Sequence, residues 1–339
     1  MVLASTLTAR GNSQGRKIAE HLFGLYGEPA RDALRATARH PTRRTADGAR
    51  KLLASVVFAP RRTVRLNVLG PVELLVGGMQ SVDAHWGRER VRSLLIYLTV
   101  NGRAHREQIL DALWPHLDPV AADRNLRVTL TYLHQVLEPD RRSGEAPFFV
   151  RQDCSTLTLV GGPHFSFDAG EFDALFERAD DADRRGLPSV ALELFEEALA
   201  LWRGPCLREV VYEEWAQSMC TGLTARFVTA SVRAAELSLA AGSTGIARTY
   251  AARALAADEW CERAHRVLIA AALANGDRSG ARHALVHCDA MLASLGIEAD
   301  PETEALRRQL LGLPGPASRR ARSGPFGSQP TTEHEHAIA

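Results

Sequence analysis

The side chains best suited to contact nucleic acid lie in one segment, residues 122–137. Its leucines recur at spacings of four, three and four residues, which places them on one face of an α-helix; they are Leu126, Leu130, Leu133 and Leu137. The opposite face carries side chains that can bind phosphate oxygens or base edges, namely Arg124, Asn125, Arg127, Thr131, Tyr132 and Gln135. These residues alone indicate either a DNA-recognition helix or an ordinary amphipathic helix with a solvated face.

Further basic residues lie in the elements that would flank this helix. Arg88 and Arg90 begin one predicted helix, and His105 and Arg106 begin the next. Because the amino end of a helix favours anions, these four residues are predicted phosphate contacts. Arg151 lies in a predicted β-hairpin and is a further candidate.

The periodicity of the surrounding sequence predicts the elements that position these residues. Residues 64–76 alternate between apolar and polar side chains, which predicts two or three antiparallel strands. Two helices are predicted over residues 88–99 and 105–113, followed by the helix at 122–137. Residues 148–151 and 156–160 predict a hairpin. Strands, three helices and a hairpin are the order of a winged helix-turn-helix, in which the third helix enters the major groove and the hairpin is the wing.

Three stretches of this region resemble the Streptomyces antibiotic regulatory protein family: residues 64–74 (VRLNVLGPVEL), residues 113–115 (LWP) and residues 125–133 (NLRVTLTYL). The resemblance implies a winged helix similar to the effector domain of response regulators, followed by an all-helical bacterial transcriptional activation domain. It also implies that the exposed residues of the third helix contact DNA. Family members often have arginine where this helix has Tyr132, His134 and Gln135, so base readout here is expected to rely more on water and van der Waals contacts.

The carboxyl-terminal half predicts stacked helical repeats. A glycine-containing pattern at Gly242 returns 34 residues later at Gly276, and Gly186 opens a related pattern. A period of 34 residues is that of tetratricopeptide repeats, which stack into a solenoid with a concave binding face. The predicted fold is therefore mainly α with a small β component, a winged helix-turn-helix followed by an all-α tetratricopeptide-like repeat domain.

The charge distribution supports a division of the chain into four parts. Residues 1–60, a flexible and helical amino-terminal extension, have a net charge of +6, and the winged-helix part, residues 61–165, has +2. The repeat part, residues 166–313, has −8, and residues 314–339 are predicted to be a disordered tail. A basic front and an acidic back suit a nucleic-acid-facing part joined to a protein-facing part.

The extension is predicted to contain two short helices broken at Gly27, Glu28 and Pro29, and a further helix over residues 45–57. It is rich in arginine, which indicates either a solvated helical face or contacts with DNA phosphates. These arginines are Arg31, Arg35, Arg39, Arg43, Arg44 and Arg50.

The motifs of common catalytic and metal sites do not occur, so neither an enzyme nor a cofactor is expected. The five cysteines are scattered without a C-x-x-C pair, so neither a zinc site nor a disulfide framework is implied. His283, His287 and Cys288 have metal-ligand spacing, but the lack of a further ligand nearby favours structural packing. Trp202, Trp215 and Trp260 are expected in the core or between repeats. The apolar runs are too short for a membrane span, so a cytoplasmic, nucleoid-associated protein is expected.

These observations and the resemblance predict a sequence-specific DNA-binding transcriptional activator. By the resemblance, it would bind direct repeats near the promoter −35 region as a homodimer and recruit RNA polymerase through the σ factor. The main alternative is a protein-interaction module, a tetratricopeptide scaffold with a weak or non-specific DNA-binding domain. A third possibility is a regulator or fragment of an enzyme. A steep fall of DNA affinity with salt would favour the first over the second.

Overall fold

The computed structural model of the chain describes residues 27–207 and 214–312. The helices are α1 (residues 27–37), α2 (Arg43–Ser55), α3 (Glu89–Asn101), α4 (Arg106–Leu113), α5 (Pro119–Leu137), α6 (Asp168–Arg184), α7 (Pro188–Leu201), α8 (Glu214–Ala240), α9 (Thr244–Ala257), α10 (Glu262–Ala274), α11 (Arg278–Leu295) and α12 (Pro301–Leu311). The strands are β1 (Val64–Asn67), β2 (Glu73–Val76), β3 (Met79–Gln80), β4 (Arg103–His105), β5 (Val150–Asp153), β6 (Thr156–Leu159) and β7 (Phe165–Phe167). The predicted disordered tail and the predicted helical residues before Gly27 lie outside the described residues.

The first sheet has the strand order β3-β2-β1-β7. Strands β1 and β2 pair antiparallel, with Val64 opposite Val76, as the alternating pattern predicts. Strand β7 pairs in parallel with β1, which joins residues about a hundred positions apart in the sequence. The sequence analysis did not predict β7, because a strand of three residues is too short to show a period.

The second sheet has the order β4-β6-β5 and contains the predicted hairpin. Strands β5 and β6 form the wing, and Cys154 in its turn has a φ of +48°, in the left-handed region that tight turns require. Strand β4, which the sequence analysis missed, pairs with β6 and thereby ties the wing to the start of α4.

One continuous apolar core extends from the winged helix into the first repeat helices. At the junction, the buried carboxylate of Asp168 accepts hydrogen bonds from the backbone N–H groups of Val68 and Leu69. The backbone N–H of Arg203 donates to the Leu69 carbonyl at 2.8 Å. Gly70 lies so close to this segment that a Cβ atom there would be 3.1 Å from the Arg203 Cβ. The winged helix and the repeats are therefore packed directly against each other.

Helices α6 to α12 form the predicted repeat domain, in which each helix packs against its neighbour in sequence. Gly186, Gly242 and Gly276 end the first helix of successive pairs with φ values of +72°, +79° and +73°, which glycine adopts without strain. Trp202 and Trp215 pack against the core as predicted. Trp260 is 47% exposed, so its assignment to the core or a repeat interface was wrong.

The amino-terminal extension forms a helical pair with a small core of its own, built around Leu34, Leu52 and Phe58. Helix α2 overlaps the helix predicted over residues 45–57 but begins and ends two residues earlier, and Gly27, the first residue of α1, has a φ of +56°. Glu28 and Pro29 lie within α1, so their assignment to a break between two helices was wrong.

Two of the arginines in the extension bind the loop that follows α5. They therefore form neither a solvated helical face nor contacts with DNA phosphates, the two predicted alternatives. Arg31 and Arg35 both donate to the carboxylate of Glu145, and Arg31 is only 5% exposed. Burial alone would raise the pKa of Glu145, but hydrogen bonds from Arg35, the Arg142 backbone and Arg31 outweigh it and lower that pKa to about 2. The extension is therefore anchored to the winged helix by an ionised carboxylate.

Candidate nucleic-acid interface

Helix α5 begins one turn earlier than the segment identified from its leucines. Its first residue is Pro119, which suits the first helical position because its missing N–H needs no partner there. The Asp118 side chain caps the helix by accepting from the N–H groups of Val120 and Ala121, each at 3.0 Å. The four leucines of the repeat are all buried, which confirms the predicted inward face.

The outward face of α5 carries the predicted DNA contacts. Five of the six side chains are exposed, namely Arg124, Asn125, Arg127, Thr131 and Gln135. The hydroxyl of Thr131 donates to the Arg127 carbonyl at 2.9 Å, an interaction within the helix. The exposed surface thus combines guanidinium groups with two carboxamides, the side chains that bind guanine and adenine edges.

Asp123 organises the basic residues of this surface. Its carboxylate pairs with Arg106, the first residue of α4, and with Arg127, which is one turn further along α5. The Arg106 side chain is 17% exposed, whereas that of Arg127 is 75% exposed. One carboxylate therefore orients two predicted DNA contacts and partly neutralises both.

Tyr132 holds the segment before α3 against α5. Its ring stacks on His85, with the ring centroids 4.1 Å apart and the planes at 13°. The guanidinium of Arg88 lies 4.6 Å from the centre of the same ring, a cation–π distance. The structure thus brings Arg88 to the exposed face of α5, and half-buried Arg90 follows it in the first turn of α3.

His105 joins the wing to the amino end of α4. Its backbone N–H donates to the Gln108 side chain at 2.9 Å, and its ring nitrogen Nε2 lies 2.7 Å from the Ser155 hydroxyl in the wing turn. Arg151 is exposed on β5 and lies over the Phe148 ring at 5.8 Å. Arg151 therefore lies in the predicted hairpin, whereas His105, predicted to begin the second helix, is the last residue of β4 and caps α4.

His134 is half-buried and is not one of the exposed side chains of the outward face. Burial lowers its pKa to about 4, and the positive charge of Arg141 acts in the same direction. The departure from the family pattern predicted at His134 therefore does not involve a side chain of the exposed face. Next to it, Glu138 accepts from the N–H groups of Phe148 and Phe149, which fixes the start of the wing to the end of α5.

Sequence reasoning missed several residues that shape this surface. Asp123 lies four residues before Arg127, an ion-pair spacing that was visible in the sequence. His85 and Glu138 had no such signal, because their partners are distant in the sequence or are backbone groups.

The two histidines in α11 are not packed in the interior as predicted. Cys288 is buried, whereas His283 and His287 are exposed, with their Nε2 atoms 3.1 Å apart. Packing therefore accounts for the cysteine only. Within residues 27–207 and 214–312, no group of three or more potential metal ligands comes together. The helices in those ranges are also too short or too polar to cross a membrane.

Comparison with known proteins supports both halves of this architecture. The bacterial transcriptional activator domain family matches residues 167–311. Over 249 residues the chain is 25% identical to the transcriptional regulatory protein MoaR1 of Mycobacterium bovis, and equally to MoaR1 of Mycobacterium tuberculosis. Each alignment covers 73% of this chain and 79% of the relative.

The fold is shared with Mycobacterium tuberculosis EmbR, whose structure was solved in complex with a low affinity phosphopeptide. The TM-score is 0.63 at 22% identity, and the match covers 76% of this chain and 67% of that one. The matched activator domain coincides with the repeat helices of the structure, and both MoaR1 relatives are transcriptional regulatory proteins. The matched activator domain, the similarity to transcriptional regulators over most of the chain and the shared fold support a transcriptional regulator of the Streptomyces antibiotic regulatory protein type.

Proposed function

We propose that this regulator is a sequence-specific activator that reads promoter DNA with α5. The observation that carries the proposal is the exposed face of α5, where guanidinium and carboxamide groups are held on a rigid helix. Arg124, Arg127 and Gln135 are the proposed base-reading residues, because arginine suits guanine and glutamine suits adenine. The other predicted residues surround them and are proposed to bind phosphates or to position the helix.

The arrangement of the neighbouring elements supports this assignment. His105 and Arg106 lie at the amino end of α4, where the positive end of the helix dipole adds to the attraction for phosphate. Arg88 is held near α5 by the Tyr132 ring. Arg151 extends the basic surface onto the wing. A duplex against α5 would thus meet basic side chains from three further elements.

By the same proposal, the repeat domain serves protein contacts. Two copies would bind direct repeats near the −35 region, and the acidic repeat helices would contact RNA polymerase, including its σ factor. A solenoid of paired helices suits such contacts because it offers a long concave face.

The test is recovery of sheared genomic DNA by the purified full chain at moderate salt. The wild type is expected to enrich a few promoters with repeated half-sites about one or two helical turns apart. Arg124→Ala and Arg127→Ala are expected to lose this enrichment. Arg184→Ala, on the exposed surface of α6, removes the same charge from the repeat domain and should leave it unchanged. No enrichment by the wild type would overturn the proposal.

One observation favours the alternative of a protein-interaction module. Asp123 partly neutralises two of the basic residues that would face DNA, so the electrostatic part of the affinity is reduced. Under this alternative, binding to any duplex is weak at moderate salt and no sequence is preferred. Titration of one duplex at several salt concentrations, with and without a recovered half-site, separates the two.

A further inference from the structure

Two cysteines meet at the junction between the winged helix and the repeat domain. Cys206 follows α7 and is 5% exposed, and Cys220 lies in α8 and is 9% exposed. Their Sγ atoms are 2.9 Å apart, and the Cys220 Sγ is 3.4 Å from the Cys206 carbonyl oxygen. Both are free thiols in the structure.

This separation is close to that of a covalent bond. A disulfide has an S–S length of about 2.05 Å, so the two sulfur atoms need to approach by less than about 1 Å. The two residues are 14 positions apart in the sequence, a spacing that matches no motif, so only the fold reveals the pair.

The thiols can be reached by a small oxidant. Both line a cavity of about 510 Å³ that is open to solvent. Arg203 and Arg253 line the same cavity. A hydrogen bond with Cys206 lowers the pKa of Cys220, whereas that interaction, burial and the Asp168 charge raise the pKa of Cys206.

We propose that Cys206 and Cys220 are an oxidisable pair that peroxide converts into an intramolecular disulfide. The Cys220 thiolate attacks one peroxide oxygen, which forms a sulfenic acid and releases hydroxide, and the hydroxide takes up the proton that Cys220 has lost and becomes water. The Cys206 sulfur then attacks the Cys220 sulfur, the S–S bond forms, and the sulfenic oxygen leaves as water with the Cys206 proton. In total two thiols are oxidised, one peroxide is reduced, and two waters are released.

The disulfide would act on the junction itself. Residues 202–207 are bound to the winged-helix sheet, since the Leu207 N–H donates to the Val68 carbonyl at 3.0 Å. Arg203 in the same segment also pairs with Glu73 in β2. A bond from Cys206 to α8 would therefore fasten the sheet, this segment and the longest helix of the repeat domain to one another. The inference is independent of DNA binding.

The test is mass spectrometry of the full chain treated with a small excess of hydrogen peroxide, then alkylated. Cys154→Ser serves as the background, because Cys154 is exposed on the wing and could join two chains. Trypsin places Cys206 in the peptide 204–208 and Cys220 in the peptide 209–226. We expect these peptides to be linked after peroxide and separate after dithiothreitol, and the oxidised chain to melt several degrees higher.

Matched variants identify the pair. Cys220→Ser in the same background should leave Cys206 open to alkylation after peroxide, whereas Cys261→Ser, at a half-buried site in the repeat domain, should still give the linked peptides. Peptide mapping of the Cys154→Ser chain decides the question even if Cys220→Ser fails to fold. The proposal is overturned if all four remaining cysteines stay alkylatable, or if Cys206 and Cys220 are oxidised singly without becoming linked.

Discussion

The winged helix and the repeat domain use charged side chains for different purposes. On the winged helix, Asp123 joins two arginines of an exposed surface and leaves Arg127 three-quarters exposed. In the repeat domain, Arg233 binds Asp183 across two helices, and Glu236 binds both Arg233 and Arg263. These repeat-domain pairs therefore only join helices, whereas Asp123 joins α4 to α5 and also pairs with an arginine of the exposed surface. The net charges of +2 and −8 do not reveal this difference, because it depends on which charges are paired.

The two regions also differ in the size of their core residues. Large aliphatic side chains fill the winged helix, among them Leu94, Leu95, Leu126 and Leu133, all fully buried. The middle repeats pack through alanines, including Ala247 and Ala251, which allow the helices to approach closely. The stability of the winged helix should therefore be most sensitive to a loss of side-chain volume in its core. The stability of the repeats should be most sensitive to a gain of side-chain volume.

The largest effect is expected from Leu133→Ala in α5. The side chain is fully buried, so its removal leaves a cavity and should lower the free energy of unfolding by about 2–5 kcal/mol. Urea denaturation of the full chain measures this loss. Val128→Ala, at a residue that is 44% exposed on the same helix, should cost far less. Equal losses in the two variants would contradict the assignment of an inward leucine face.

A pH-dependent effect is expected from His134. Because burial lowers its folded-state pKa to about 4, the unfolded chain binds more protons between about pH 4 and pH 6.5. This contribution to stability is complete above about pH 6.5 and is lost on acidification toward pH 4, by about 3 kcal/mol.

Urea denaturation at several pH values checks this prediction. His134→Gln should remove most of the slope between those pH values. His265 in α10 also has a pKa lowered by burial, so the double variant His134→Gln with His265→Gln separates the winged-helix part from the repeat part. An unchanged slope in His134→Gln would show that His134 does not titrate as the structure indicates.

Overpacking of the repeats should cost somewhat less. Ala251→Leu inserts three carbon atoms at a fully buried position between helices and should lower the free energy of unfolding by about 1–3 kcal/mol. Ala252→Leu, at the adjacent exposed position of α9, is the matched control and should be close to neutral. Thermal unfolding compares the two. A neutral Ala251→Leu would show that the repeat interface is looser than in the structure.

The smallest effect is expected on the affinity for DNA, when the carboxylate shared by two arginines of the winged helix is removed. Asp123→Asn releases Arg106 and Arg127 from a shared carboxylate and should raise affinity for a recovered half-site by about two- to tenfold at low salt. Fluorescence anisotropy measures this affinity. Asp111→Asn removes the same charge from the exposed surface of α4 and should have less effect. A loss of affinity in Asp123→Asn would mean that Asp123 chiefly positions the arginines.

The pattern of neighbouring residues was enough to predict most helices and strands and to recognise the family resemblance. The leucine spacing in α5, the alternation in β1 and β2, and the 34-residue offset between Gly242 and Gly276 each reflect a period that neighbouring residues share. Such periods follow from the geometry of single helices, strands and repeats. They identified the outward face of α5 without any information on its surroundings.

The tertiary structure decided what those patterns could not contain. Three contacts join residues that are far apart in the sequence or follow no period. They are the parallel pairing of β7 with β1, the stacking of His85 on Tyr132 and the contact of Cys206 with Cys220. The sequence by itself thus determined which elements form and which face of α5 is polar. Only the packing of those elements decided which ion pairs form and which thiols lie in contact. Such contacts depend on the distances between elements, and the periodicity of a single element does not determine those distances.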